Sequence, residues 1–113
     1  MKCIKFDDRV YTMRLMLNLI VSPAIREKLL CKHSVKEGEV EECFYNRIGP
    51  YLEDDAEDHR TDPPSYWFIA ETNRGRRLKV VFVQKDGNVY LKTAFEANRK
   101  SETVYTKLSQ QQE

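Results

Sequence analysis

Glycine and proline are scarce in this sequence, with four of each among 113 residues. That scarcity excludes collagen-like chains and Pro/Gly-rich low-complexity chains. A disulfide scaffold is excluded as well, because there are only three cysteines, an odd number in which no pair has C-x-x-C spacing. No secretory signal is recognisable, so we expect reduced thiols in the cytoplasm, with neither a zinc site nor any other cofactor.

Long apolar runs are missing too. The most apolar stretch, residues 13–24, is interrupted by Arg14, Asn18, Ser22 and Pro23. It is therefore too short and too polar to span a bilayer, and we expect no membrane partner. Apolar residues make up 41% of the chain and charged residues 33%. This composition is typical of a single globular domain that is large enough to bury a core.

The net charge is only +1 at pH 7, but the charges are unevenly distributed. Residues 37–62 contain ten acids and two arginines, whereas residues 65–113 contain nine bases and five acids. Such a split favours a basic binding face with an acidic region elsewhere on the domain. A solvated acidic helix and loop beside a slightly basic sheet would give the same pattern.

Helix and strand signals occur in an order that is typical of an α+β domain. Ser22-Pro23 is a helix start, with serine as the N-cap and proline at the first helical position. Ser34 and Glu37 form a capping box for a second helix. Asp86-Gly87 is a strong hairpin signal. The predicted elements are a strand at 17–21, helices from Ser22 to about His33 and from Ser34 to Gly49-Pro50, a loop at 51–64, strands at 65–72, 77–84 and 88–95, and a helix capped by Asn98 that ends near Leu108.

This order predicts a two-layer domain over residues 17–108. Three strands form an antiparallel meander, the 17–21 strand lies at an edge as a fourth, and the helices lie mainly on one face. Residues 1–16 show neither a helical nor a strand period, so we expect a poorly ordered leader, with Met16 as the natural start. Residues 109–113 are expected to form a frayed tail.

Alternation along the two strands of the predicted hairpin separates an apolar set from a polar set. The apolar residues would face the helices, and they are Leu78, Val80 and Phe82 in the first strand and Val89, Leu91 and Thr93 in the second. The residues between them would form an open face that carries Arg77, Lys79, Tyr90 and Lys92. Such a face is either an ordinary solvated sheet surface or a binding surface.

A series of short motifs extends over residues 17–108. Lys32-His33-Ser34-Val35 lies between the first two helices, and Glu41-Glu42-Cys43-Phe44 lies in the second. The series continues with Glu57-Asp58-His59-Arg60, Trp67 to Thr72, Gly75-Arg76, Val80-Val81-Phe82, Thr93-Ala94 and a last helix with Tyr105. Together these motifs resemble the BrnT-type toxins, which have a K-H-G-V-like turn at the first position. Thr61 to Thr72 is also similar to a stretch of short bacterial proteins labelled "ADP-ribosyl-(dinitrogen reductase) hydrolase".

The resemblance to BrnT-type toxins implies a RelE-like fold, metal-independent RNA cleavage and neutralisation by a small cognate antitoxin protein. The chain would then be the toxin-like module of a bacterial type II toxin–antitoxin system. Two residues depart from the family: Ser65 and Phe95 stand near positions where the family has arginines that would contact a phosphate. A non-catalytic relative that binds RNA or a protein through the same face is therefore the alternative.

Cleavage of RNA without a metal requires a base, an acid and a cation for the phosphate. Only histidine has an unperturbed pKa near neutral pH, and the sequence has two histidines. The predicted catalytic residues are His33, His59, Lys32 and Lys79. The predicted RNA-binding residues are Arg76, Arg77, Tyr90, Lys92 and Arg99, with the Tyr90 ring as a platform for a base. As structural alternatives, His33 would satisfy the end of a helix and His59 would be a solvated loop residue.

ADP-ribosyl hydrolysis is disfavoured. A metal-dependent hydrolase would need several carboxylates that converge on one octahedral site. The acidic run here, Glu53, Asp54, Asp55, Glu57 and Asp58, is more typical of a solvated loop. A chain of 113 residues also lacks room for the large helical fold of such hydrolases.

Overall fold

Three α-helices and five strands make up the computed structural model of the chain, which describes residues 18–54 and 63–111. The predicted α+β class is confirmed. The predicted leader at 1–16 lies outside the described residues. None of the described helices is both long and apolar enough to cross a lipid bilayer. In chain order the elements are β1 (Leu19–Ile20), α1 (Pro23–Lys28) continued by a π-helical turn (Leu29–His33), α2 (Glu37–Asn46), β2 (Leu52–Glu53), β3 (Ser65–Glu71), β4 (Arg77–Lys85), β5 (Asn88–Glu96) and α3 (Arg99–Gln111).

The strands form one sheet in the order β1-β5-β4-β3-β2. The predicted antiparallel meander of β3, β4 and β5 is confirmed. Two short strands extend it at the edges. β1 pairs with β5 in parallel, at the edge where the sequence places it. β2 lies in the stretch predicted as a loop and pairs antiparallel with the start of β3. A strand of two residues shows no alternation, which is why the sequence pattern does not reveal it.

The core lies between the sheet and the first two helices. Leu78, Val80 and Phe82 are completely buried, as the alternation predicts. Phe44 of α2 packs edge-on against Phe68 and Phe82, with ring centroids 4.9 and 5.4 Å apart. Burial of each such side chain contributes roughly 1.5–3 kcal/mol to folding. This aromatic layer therefore holds α2 against β3 and β4.

α2 begins two residues later than the capping box of Ser34 and Glu37 predicts. Ser34 adopts a left-handed conformation, with φ 53°, and closes the preceding π-helical turn. The N-cap is instead Lys36, whose backbone N–H donates to the Glu39 carboxylate at 3.0 Å. Val35 between them is completely buried. Packing of Val35 thus fixes the two-residue link between the helices and moves the cap from Ser34 to Lys36.

A β-bulge changes the side-chain pattern of β5. The register shifts between Val81 and Phe82, which leaves Lys92 as an extra residue on β5. Beyond the bulge the alternation moves by one residue, so Ala94 is completely buried and Thr93 lies half-buried on the other face. The prediction that Thr93 faces the helices is therefore wrong, because strict alternation assumes an uninterrupted strand.

α3 packs on the face opposite α1 and α2. Trp67 and Phe68 are neighbours in β3, so their side chains point to opposite faces. Phe68 contacts α2, whereas the Trp67 ring lies 5.4 Å from the ring of Tyr105 in α3. The Tyr105 hydroxyl donates to the Pro50 carbonyl at 2.7 Å. The helices are thus divided two and one between the faces, and α3 covers only the β3 side of its face.

The rest of that second face, over β4 and β5, is not covered by any described helix. We call it the open face, and it comprises Lys79, Val81, Val83, Tyr90, Lys92, Thr93 and Phe95. Every one of these residues is half-buried or exposed. Of the four residues that the sequence predicts here, Lys79, Tyr90 and Lys92 lie on the open face. Arg77 lies at its end and contacts α3.

Candidate nucleic-acid interface

Lys79 lies among aromatic side chains on the open face. Its Nζ atom is 4.5 Å from the centroid of the Trp67 ring and 5.9 Å from that of the Phe95 ring. An ammonium group over an aromatic face is attracted by the ring quadrupole. Lys79 meets no carboxylate among the residues that the structure describes. Its charge is therefore held in place by rings and remains available to an anion.

Lys92 lies on the same face, two residues after Tyr90, and it is the extra residue of the bulge. Its side chain reaches across β4, and Nζ donates to the Ser65 hydroxyl at 3.0 Å. Ser65 is almost completely buried at the start of β3. It is one of the two residues at which the sequence departs from the BrnT-type pattern. In the described part of the chain Lys92 also has no carboxylate partner. Lys79 and Lys92 thus give the open face two positive charges that no carboxylate of residues 18–54 or 63–111 compensates.

His33 approaches this group from the edge of the sheet. It ends the π-helical turn, and its ring centroid lies 5.6 Å from that of Phe95 at an interplanar angle of 46°. The Phe95 ring therefore lies between two predicted catalytic residues, His33 and Lys79, and contacts both. Lys32 is exposed. It lines, with His33 and Phe95, a shallow pocket of about 510 Å³.

Arg76 is not available as an RNA-binding residue, contrary to what its position in the sequence suggests. Its guanidinium donates to the carbonyls of His33 (2.9 Å) and Ser34 (2.7 Å). It also pairs with the Glu96 carboxylate at 2.9 Å and with that of Glu39 at 3.1 Å. Burial lowers the pKa of Arg76, but the hydrogen bonds and charges of Glu96 and Glu39 outweigh it and raise that pKa above its ordinary value. Two carboxylates more than compensate this charge.

Arg77 is likewise occupied. It pairs with Glu102 of α3 at 2.6 Å and with Glu71 at 3.5 Å. The hydrogen bonds that Arg77 donates to the Glu102 carboxylate are the main reason why the pKa of Arg77 is raised, and burial opposes this effect. The pairs tie α3 to β3 and β4 at the end of the sheet. Arg77 therefore acts as a link between elements, and its charge is not directed to a ligand.

The remaining predicted residues are more scattered. Tyr90 is 38% exposed on the open face, next to Ile20 of β1. Its hydroxyl accepts from Asn88 Nδ2 at 3.4 Å, and its ring is accessible for stacking. Arg99 is exposed at the first residue of α3 and makes no ion pair with another described residue. His59 lies in 55–62, outside the described residues, so its role stays a prediction.

Two residues that matter to this site are absent from the sequence-based set. In the sequence Phe95 stands out only as a residue near a position where the BrnT-type toxins have an arginine, and no motif marks Glu96. Both lie beside His33 in the pocket. The bulge at Lys92 is what brings the Phe95 ring onto the same face as Lys79, and no turn or glycine signal in β5 marks that bulge. Within residues 18–54 and 63–111, no three His, Cys, Asp or Glu side chains are placed to hold a metal ion.

Comparison with known proteins adds no family to this geometry. No model of a protein family matches the chain, and no curated protein is similar to it at a significant level.

Proposed function

We propose that this chain is a RelE-like, toxin-like module that binds single-stranded RNA on the open face and cleaves it without a metal ion. The observation that carries the proposal is the arrangement around Phe95, where His33 and Lys79 both contact one ring. Lys92 supplies a second positive charge on the same face, and no described carboxylate pairs with it. Together they offer an imidazole, cations and rings, which are the groups that such a reaction needs.

The binding step follows from the charges and rings of the open face. The amines of Lys79 and Lys92 would contact successive phosphates, and binding of each phosphate would release counterions. The exposed Tyr90 ring and the half-buried Phe95 ring would stack on unpaired bases. A duplex would not use these rings in the same way, because paired bases keep their faces stacked on each other.

The proposed chemistry is a transfer of the phosphate within the RNA. Neutral His33 takes the proton from the 2′-hydroxyl, whose oxygen attacks the adjacent phosphorus while the P–O5′ bond breaks. A protonated group returns a proton to the leaving 5′-oxygen, and His59 remains the predicted acid. Lys79 stabilises the charge that develops on the phosphate oxygens. The products are a 2′,3′-cyclic phosphate and a 5′-hydroxyl, so no net proton or water is consumed.

The prediction of an antitoxin partner rests on the likeness to BrnT-type toxins. The turn at Ser34 supports that likeness. Ser34 stands where that family has glycine in its K-H-G-V-like turn, and its φ is 53°. This left-handed region is the one that glycine adopts without strain. A backbone turn shared with that family would explain why the two sequences resemble each other here although the residue differs.

A non-catalytic relative that binds RNA or a protein through the same face is the second candidate. One observation favours it: both arginines near the site, Arg76 and Arg77, are bound to carboxylates. Phosphate then has lysines as partners and lacks the bidentate contact that a guanidinium provides. This candidate retains RNA binding and loses turnover.

Cleavage of a labelled single-stranded RNA in the presence of EDTA distinguishes the two candidates. We expect 2′,3′-cyclic phosphate products, and we expect that His33→Gln lowers turnover at least about 100-fold, as is typical for loss of a general base. RNA affinity of that variant should stay close to that of the wild type. Binding without any cleavage would support the non-catalytic relative, whereas no binding of any RNA would refute the ribonuclease and leave only a relative that binds a protein.

The toxin–antitoxin part of the proposal is tested in cells. We expect that expression of the wild-type chain alone arrests bacterial growth and that the product of an adjacent small gene relieves the arrest. His33→Gln should still bind that product but should not arrest growth. If expression of the wild-type chain has no effect on growth and the RNA of the cells stays intact, the toxin assignment is wrong.

A further inference from the structure

The pocket beside the open face lies at a part of β5 that no described strand covers. β1 pairs only with Val89 and Tyr90 of β5, so the later residues of β5 border the π-helical turn instead. The pocket opens there, with a volume of about 510 Å³. Its lining residues are Lys32, His33, Ser34, Arg76, Phe95 and Glu96.

The arginine of this pocket is largely engaged by groups of the protein itself. Arg76 at its floor is bound to Glu39 and Glu96, and its other donors are used by the backbone of His33 and Ser34. Most of the five N–H groups of this guanidinium are therefore already bound within the protein. Two charged groups remain exposed at the rim, the ammonium of Lys32 and the carboxylate of Glu96, whose side chain is 67% exposed.

The Glu96 carboxylate can accept more hydrogen bonds than the described residues donate to it. Arg76 Nε donates to its Oε2 atom, and Oε1 has no partner within the described part of the chain. An ionised carboxylate accepts hydrogen bonds on both oxygens and donates none. The pocket therefore presents an acceptor pair beside the rings of His33 and Phe95. This combination suits a flat, neutral group with two adjacent N–H donors.

We propose that the pocket binds a guanine base of the RNA. The N1–H and the N2 amino group of guanine would donate to the two oxygens of Glu96, while the base packs against the Phe95 ring beside His33. Guanine alone among the four RNA bases has two adjacent donors on its Watson–Crick edge. Uracil would direct carbonyl oxygens at the carboxylate, and adenine and cytosine would each place a ring acceptor against it.

This inference rests on the proposed function and adds a base preference to it. The ribose and phosphate of the bound guanosine would extend toward Lys32 at the rim. The next nucleotides would lie along the open face toward Lys79. The pocket thus selects the base, and the lysines hold the backbone irrespective of sequence.

Binding of mononucleotides tests the pocket separately from RNA cleavage. GMP, IMP, AMP and UMP are titrated into the full chain while the ring signals of His33 and Phe95 are followed by NMR. We expect GMP to bind about tenfold more tightly than AMP or UMP, since a bidentate pair discriminates by roughly 5- to 150-fold. IMP keeps N1–H but lacks the amino group, so its affinity should lie between them. Equal affinities for the four would overturn the proposal.

Two matched variants show whether Glu96 acts on the base or through Arg76. Glu96→Gln and Glu39→Gln each remove one carboxylate from Arg76, but only Glu96 lines the pocket. We expect Glu96→Gln to abolish the preference for GMP over AMP and Glu39→Gln to retain it. If both variants lose the preference equally, the effect comes from Arg76, and the assignment of Glu96 is overturned.

RNA oligomers separate a failure of this inference from a failure of the proposed function. Oligomers with and without guanine are compared in binding to the wild type and to Glu96→Gln. Tight binding with no preference for guanine would overturn the pocket assignment and leave RNA binding intact. Preferential binding of GMP with no binding of any oligomer would support the pocket and overturn the proposed function.

Discussion

Arg76 joins three separate parts of the fold by hydrogen bonds, and its removal should lower stability strongly. Arg76 donates to the carbonyls of His33 and Ser34 at the end of the π-helical turn, to Glu39 of α2 and to Glu96 of β5. We consider Arg76→Met, which keeps much of the apolar stem and removes every donor.

The expected loss can be estimated from these contacts. Hydrogen bonds of a charged donor contribute about 1.5–3 kcal/mol each, but water can replace part of them at a side chain that is 24% exposed. Two carboxylates also lose their counterion. We expect a loss of roughly 2–3 kcal/mol in the free energy of unfolding, which lowers the Tm by about 10 °C.

Arg77→Met is a matched control because it removes the same charge from the neighbouring residue. Arg77 is more exposed, at 43%, and its partners Glu71 and Glu102 are side chains that water reaches. Exposed pairs contribute about 0–1 kcal/mol and are weakened by salt.

Urea denaturation of both variants at low and high ionic strength distinguishes the two arginines. The loss for Arg76→Met should persist in high salt, while the smaller loss for Arg77→Met should shrink. Equal losses for the two variants, or a loss for Arg76→Met that disappears in salt, would refute the role given to Arg76.

Four further predictions concern local features. Burial, with Glu39 and Glu42 nearby, raises the pKa of the Cys43 thiol to about 12, so iodoacetamide at mildly alkaline pH should alkylate the exposed Cys31 and spare Cys43, as mass spectrometry will show. Ser34→Gly should raise stability in urea by about 0.5–1 kcal/mol, because it relieves a left-handed backbone. Gly87→Ala should lower it by about 1 kcal/mol, since φ there is 80°. Deletion of residues 1–15 should leave the Tm within a few degrees by calorimetry.

The parts of the fold that the sequence predicts correctly are those with long, regular patterns. The meander of β3, β4 and β5 follows from the Asp86-Gly87 turn and from the alternation of Leu78 and Phe82, which are completely buried. The start of α1 follows from Ser22, whose hydroxyl accepts from the Ile25 N–H at 3.2 Å. Such local signals are strong because the backbone and the core require the same residues.

The parts that the sequence does not predict depend on contacts between distant residues. The capping box at Ser34 is overridden because Val35 is drawn into the core, which is a tertiary effect. The bulge at Lys92 has no local signal, yet it determines which residues of β5 share the open face with Lys79. The neutralisation of Arg76 depends on Glu39 and Glu96, which are far apart in the sequence.

The candidate site shows the same division. Lys79, Tyr90 and Lys92 could be placed on one face from alternation, because they lie in strands with a clear apolar partner set. The pairing of His33 with Phe95 joins the end of a helix to the end of a strand, and no sequence period connects these two positions.

RNA binding by the open face is the central claim, and its salt dependence is the most direct test. Trp67, the only tryptophan of the chain, lies against Lys79, so its fluorescence reports binding of a single-stranded RNA without a label. Lys79→Ala/Lys92→Ala is compared with Lys28→Ala/Lys107→Ala, which removes two exposed helical lysines. For the first variant we predict weaker binding and a slope of log K against log salt that is reduced by about 1.4, since each phosphate contact on a single strand contributes about 0.7. Equal slopes for the two variants, or no binding by the wild type, would contradict the account.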